Sequence, residues 1–133
     1  MIPLRRGCIV WVEVTDPRGA NPKCRPVVLL TRDAEIVPGA LLQGAAITTF
    51  IDPALAEISV PLPWDRNGHP KTGLNKPNVA LCNWVVTFTA DKIEEVAGIV
   101  PGKYLIRIDT ILANTAKRDD RPPGPTEPEQ PPS

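Results

Sequence analysis

Arg25, in Cys24-Arg25-Pro26, stands where a loop stiffened by Pro17, Pro22 and Pro26 turns into the apolar run Val27-Val28-Leu29-Leu30-Thr31. A guanidinium is charged at any physiological pH, and its planar fork of donors matches phosphate oxygens. Held at the rim of a buried strand, such a group can be aimed at an anion. Two stretches add local positive charge. Thr15 to Pro26 carries Arg18, Lys23 and Arg25 against Asp16, and Trp64 to Asn78 carries Arg66, Lys71 and Lys76 against Asp65. If the two loops converge, they form a cationic groove whose phosphate contacts give affinity without reading sequence and weaken as salt rises. The single histidine, His69, lies in the second loop. It is a candidate acid or base, because imidazole is the usual carrier of protons near neutral pH. Trp64, among Pro61, Pro63 and Asp65, has the loop setting expected of an aromatic that stacks on a base, whereas Trp11 and Trp84 read as core or dimer contacts.

Other chemistry has little to stand on. The three cysteines, Cys8, Cys24 and Cys82, are odd in number and widely spaced, which argues against a disulfide framework. With one histidine besides, they make a metal site improbable, and no glycine-rich phosphate loop suggests a nucleotide. No cofactor is expected. Glu94-Glu95 is expected on a helix surface and Asp119-Asp120 in a solvated tail.

The elements that must position these residues follow from pattern. At 133 residues the chain is one domain by length, and 15 basic against 15 acidic side chains leave no overall field to draw it to nucleic acid. No apolar run is long enough to span a membrane, and Met1 to Gly7 lacks the layout of a signal peptide, so a cytoplasmic location is expected. From Lys117 the composition turns proline-rich and loses apolar anchors, so residues 1–116 are read as the domain and 117–133 as a disordered tail. Ile9 to Val14, Val27 to Thr31, Ala45 to Ile51 and Glu57 to Val60 read as strands. Asn78 to Phe88 reads as a long central strand with Ala80, Cys82, Trp84, Val86 and Phe88 on one face, and Asn83 as its one strongly polar interior position. Thr89 resembles an N-cap, with Asp91 in a first turn, Ile93, Val96 and Ala97 at helical spacing and Gly98 as the stop. Pro101 then suits the start of a second helix in which Leu105, Ile108 and Leu112 share a face. Short strands followed by a helical end predict a mainly β fold, a small curved barrel capped by C-terminal helices.

Four pieces in order suggest a family. They are Arg6-Gly7-x-Ile9-Val10-Trp11-Val12; Arg25-Pro26-Val27-Val28-Leu29-Leu30; Ala45-Ala46-Ile47-Thr48-Thr49; and Gly73-Leu74-x-Lys76-Pro77-x-Val79-Ala80-Leu81-Cys82. From about Arg6 to Leu112 the chain resembles MazF/PemK-type toxins of type II toxin–antitoxin systems. The resemblance implies an SH3-like barrel, usually a homodimer, acting as a metal-independent endoribonuclease (an mRNA interferase) on single-stranded RNA. It also implies a cognate antitoxin whose flexible segment occupies the RNA groove. Arg25 matches the family's catalytic arginine and Thr48 its catalytic threonine. In that role the ribose 2′-hydroxyl attacks the adjacent phosphorus, Arg25 clamps the phosphoryl oxygens and Thr48 donates to the same developing charge. Arg18, Asn21, Lys23, Thr49, Trp64, Lys71 and Lys76 are the expected RNA contacts. Asn83 stands where the family often carries an acid, and an amide cannot serve as a base, which leaves His69 as the expected substitute. Two other readings share the fold: a non-catalytic module binding RNA or antitoxin, and a CcdB-like inhibitor of a protein target such as DNA gyrase.

Overall fold

The computed structural model describes residues 4–16 and 18–119. Among these residues six strands, β1 (Cys8–Val14), β2 (Lys23–Leu29), β3 (Leu41–Thr48), β4 (Ser59–Pro61), β5 (Val79–Thr89) and β6 (Ile93–Ile99), precede one α-helix, α1 (Gly102–Asp119). They form one antiparallel sheet in the order β4-β5-β3-β2-β1-β6. The expected mainly β fold with a helical end is what the chain adopts. Helix α1 continues past residue 117, and residues 120–133 lie outside the described residues.

Both faces of the sheet are apolar, which explains the runs without alternation. Cys8, Val10, Val12 and Val14 of β1 join Val27, Leu29, Leu42, Trp84 and Phe88 in one cluster. Ile9 faces the other way and joins Val28, Ala45, Ile47, Val60 and Ala80. Val27, Val28 and Leu29 are fully buried, as a strand covered on both sides must be. Helix α1 lies over the second cluster and drives Ile108 into it, with Leu105 and Leu112 beside it as their spacing predicts. Burying a side chain of that size contributes about 1.5–3 kcal/mol. Arg6 adds a polar clamp: its guanidinium donates to Leu30 O and to the Asp109 carboxylate on α1, and its backbone N–H donates to Asp33 Oδ1 at 2.7 Å.

The two edges of the sheet meet through one loop. The chain leaves edge strand β4 at Pro61, and Lys71 O accepts the Ile99 N–H of edge strand β6 at 2.8 Å. Two glycines permit this approach. A Cβ on Gly98 would stand 2.1 Å from Lys71 O, and one on Gly73, whose φ is +73°, 2.5 Å from Ala97 O.

Two sequence expectations fail, both because the strands are irregular. Residues 93–99 form β6, and Thr89 precedes only a short 3-10 turn at Ala90–Lys92. In β6 the register against β1 slips twice, between Ile9 and Val10 and between Trp11 and Val12. Each slip inserts a residue and breaks the two-residue period, so Ile93, Val96 and Ala97 fall at a helix-like spacing within a strand. The long strand is likewise not one unbroken alternation. Along β3 the step from Ala45 to Ile47 is answered on β5 by the step from Val85 to Ala80. Ala80 and Cys82 therefore face the helix-covered cluster, while Trp84 and Phe88 face the other. Asn83, at the irregularity, is exposed rather than interior.

Candidate functional site

Arg25 and Thr48 open onto one cleft. It has a volume of about 730 Å³ and is lined by Lys23, Cys24, Arg25 and Pro26 of β2, by Ile47, Thr48 and Thr49, by the 73–76 segment with Asn78, and by Trp11, Glu95 and Ala97. Strand register explains the meeting of the two residues. Val27 pairs with Ala46, and two residues further along that register come Arg25 and Thr48, just beyond the last paired positions. Where ladder hydrogen bonds stop, side chains on neighbouring strands stay close while the backbone opens to solvent.

Arg25 is held from three sides. One Nη donates to Val14 O at 2.7 Å, and at 3.5 Å it lies near Asn21 O. The guanidinium also lies over the Trp84 ring, 5.2 Å from its centroid. Cation–π contact with a largely buried indole fixes the plane of the fork without neutralising its charge. Thr48 is oriented by its own turn, since its Oγ1 accepts the Phe50 N–H at 3.1 Å. A hydroxyl whose lone pair is engaged in this way keeps its proton to donate elsewhere. The arrangement offers a fixed cation and a neutral donor, which together suit a phosphoryl group gaining negative charge.

The other expected contacts divide. Lys23, Thr49 and Lys76 line the cleft with Arg25 and Thr48. Arg18, Asn21, Trp64, His69 and Lys71 are not among its lining residues. Arg18 and Asn21 belong to the β1–β2 loop, which is organised around Asp16. That carboxylate accepts from the N–H groups of Arg18 and Ala20 and from Asn21 Nδ2, at 3.0, 2.9 and 2.9 Å. These bonds, with the Ala20 N–H first and the Asn21 amide next, hold the Asp16 carboxyl below its usual range. Asn21 takes a left-handed φ of 53°, so it shapes the turn rather than reaching outward. His69 has a similar structural job: its Nδ1 accepts the N–H groups of Lys71 and Thr72 at 3.1 and 3.3 Å. An imidazole nitrogen engaged that way, in a turn beside the cleft rather than in its lining, is poorly placed to shuttle a substrate proton. Trp64 is 45% exposed on the same loop.

The lining also holds residues not expected there, Glu95, Trp11 and Asn78 among them. Glu95, expected on a helix surface, stands opposite Trp11 on β6 and brings a carboxylate to the cleft. Trp11 is half-buried there instead of forming core. Asn78 is only 4% exposed; its Nδ2 donates to Lys76 O and Leu62 O at 3.0 and 3.4 Å, pinning the segment that carries Lys76. A regular strand assignment for 93–99 would have revealed Glu95, but the double register slip hid it. The thiols are poorly suited to nucleophilic attack. Burial pushes Cys82 up to about 11, and burial followed by the charge of Glu94 raises Cys24. Among the described residues no cluster of His, Cys, Asp or Glu could hold a metal ion. No helix among them is long and apolar enough to cross a membrane.

Comparison with known proteins shows the family and the fold. The family described as PemK-like, MazF-like toxin of type II toxin-antitoxin system matches residues 5–115. No curated protein matches. Among solved structures, a chain of a MazE-MazF crystal from Deinococcus radiodurans is 19% identical at a TM-score of 0.66, covering 88% of this chain and 98% of that one. Mycobacterium tuberculosis toxin MazF-mt6 is 23% identical at a TM-score of 0.64, covering 83% and 96%. An endoribonuclease in complex with its cognate antitoxin, from a mycobacterial species, is 19% identical at 0.64, covering 87% and 96%.

Proposed function

The chain belongs to the PemK/MazF family of type II toxins, and from that premise we propose that it is an endoribonuclease cutting single-stranded RNA without a metal. The observation that carries this reading is the shared cleft of Arg25 and Thr48, flanked by Lys23 and Lys76. The cations hold the sugar-phosphate backbone. The ribose 2′-oxygen forms a bond to phosphorus as the bond to the 5′-oxygen breaks, leaving a cyclic phosphate on one fragment and a 5′-hydroxyl on the other. Arg25 clamps the non-bridging oxygens and Thr48 donates its hydroxyl to them, so charge developing there meets donors already in place. Glu95 takes the proton of the attacking 2′-hydroxyl in the role first expected of His69, and solvent at the open mouth protonates the departing oxygen.

A small antitoxin with a flexible segment occupying the cleft is the proposed partner, in line with the antitoxin complexes among the structural relatives, and the proposed working form is the homodimer that the family resemblance implies. Purified protein is expected to cut long single-stranded RNA in EDTA. Arg25→Ala should lower the rate about 100- to 1,000-fold while the circular dichroism spectrum stays that of the wild type. Glu95→Gln should slow the chemical step without weakening binding. If wild-type protein binds RNA but leaves it whole, the fold has been kept for binding alone. Toxicity that survives Arg25→Ala would point instead to a protein target.

A further inference from the structure

Phe50 is 75% exposed, and Ile51 beside it 50%. They follow directly on Thr48 and Thr49, which line the cleft. The segment is not loose. Phe50 N–H is tied back to Thr48 Oγ1 at 3.1 Å, and Asp52 Oδ1 accepts the Ala54 N–H at 2.9 Å to start the 3-10 turn at Pro53–Ile58. A large apolar ring is thus presented to solvent from a backbone fixed by the same hydroxyl that faces the proposed reaction.

Such a surface asks for a partner with flat apolar faces, and the neighbouring cleft asks for one with a negative backbone, given Lys23, Arg25 and Lys76. Single-stranded RNA offers both, because every base has a π-face whatever its sequence. Building on the ribonuclease reading above, we infer that Phe50 is a stacking platform for an RNA base next to the nucleotide whose phosphate lies at Arg25 and Thr48. The Thr48–Phe50 hydrogen bond then sets the spacing between stacked base and scissile phosphate. Stacking at that point fixes the adjoining sugar and helps hold the 2′-oxygen in line. Trp64 was the aromatic expected in this task; neither ring is among the lining residues, but Phe50 follows Thr48 and Thr49 directly in the chain and is 75% exposed against 45% for Trp64.

The test uses the full chain and short single-stranded 2′-O-methyl oligonucleotides, which have no 2′-hydroxyl to attack, titrated by fluorescence anisotropy. Phe50→Ala should weaken binding about 10-fold while Phe50→Tyr stays within about 2-fold of wild type. Removing one base, at a single position, should cost the wild type about 10-fold and cost Phe50→Ala little more, because the ring and the base form one interaction. Unchanged affinity in Phe50→Ala, or equal losses at every abasic position, overturns the stacking role alone. If Phe50→Ala keeps its RNA affinity but sediments as a smaller species than wild type, the ring belongs to a protein contact and the inference is likewise overturned. Wild-type protein that binds none of the oligonucleotides removes the RNA reading itself, and the stacking role with it.

Discussion

Two loops border Arg25, and they are built in opposite ways. The β1–β2 loop is local: Asp16 gathers the N–H groups of Arg18 and Ala20 and the Asn21 amide, all within five residues of itself. The 62–78 loop is braced within by Thr72 Oγ1, which donates to Pro63 O at 2.8 Å, but it is anchored tertiarily: Lys71 O accepts from β6, and Gly73 and Gly98 let the backbones meet. The first loop shapes the approach to Arg25 through Asn21 O, while the second forms a wall of the cleft and carries Lys76. A loop held by its own residues can vary with small effect on the fold. A loop that joins two sheet edges puts the cleft and the stability of the domain on the same contacts.

Substitutions should expose that difference. The largest effect is expected from Gly98→Ala, whose new methyl would overlap Lys71 O at the junction. A loss of about 3 kcal/mol in chemical denaturation, with RNA cleavage falling in parallel, would place the wall where the structure has it. Thr72→Val keeps the shape of a buried residue but removes the donor to Pro63 O and the acceptor for Leu74 N–H. About 1–3 kcal/mol should be lost, and a denaturation midpoint equal to that of wild type would show the loop to be held by packing alone. The smallest effect belongs to Asp16→Ala. It should leave the melting midpoint in place and speed amide exchange at Arg18 and Ala20. Acid should do the same. The folded carboxyl titrates below its ordinary 3.8, so its contribution is present above that value and is lost as pH falls through the lowered one. Exchange at these two amides that stays flat with pH in that range would mean the loop does not depend on Asp16.

Much of this was legible in residue order. Val27-Val28-Leu29 announced a strand buried on both faces, and Leu105, Ile108 and Leu112 announced the buried face of α1. The Arg25 and Thr48 expectations drew on resemblance as well as type. What failed was regularity. β6 was read as a helix because two slips against β1 disguised a strand, and Glu95 went unrecognised with it. Asn21 and His69 were read for their chemistry, although each is spent on holding its own turn. A single sequence shows that a polar side chain is present, and the neighbouring backbone decides whether it is free to act.

Composition and period alone determined that this chain makes buried strands and ends in an amphipathic helix, since burial of apolar faces dominates the free energy and is written into spacing. Tertiary structure decided where strand pairing ends, and therefore that Arg25, Thr48 and Glu95 share one cleft. Register slips and the approach of two glycine backbones depend on partners distant in the chain, so no local pattern can encode them.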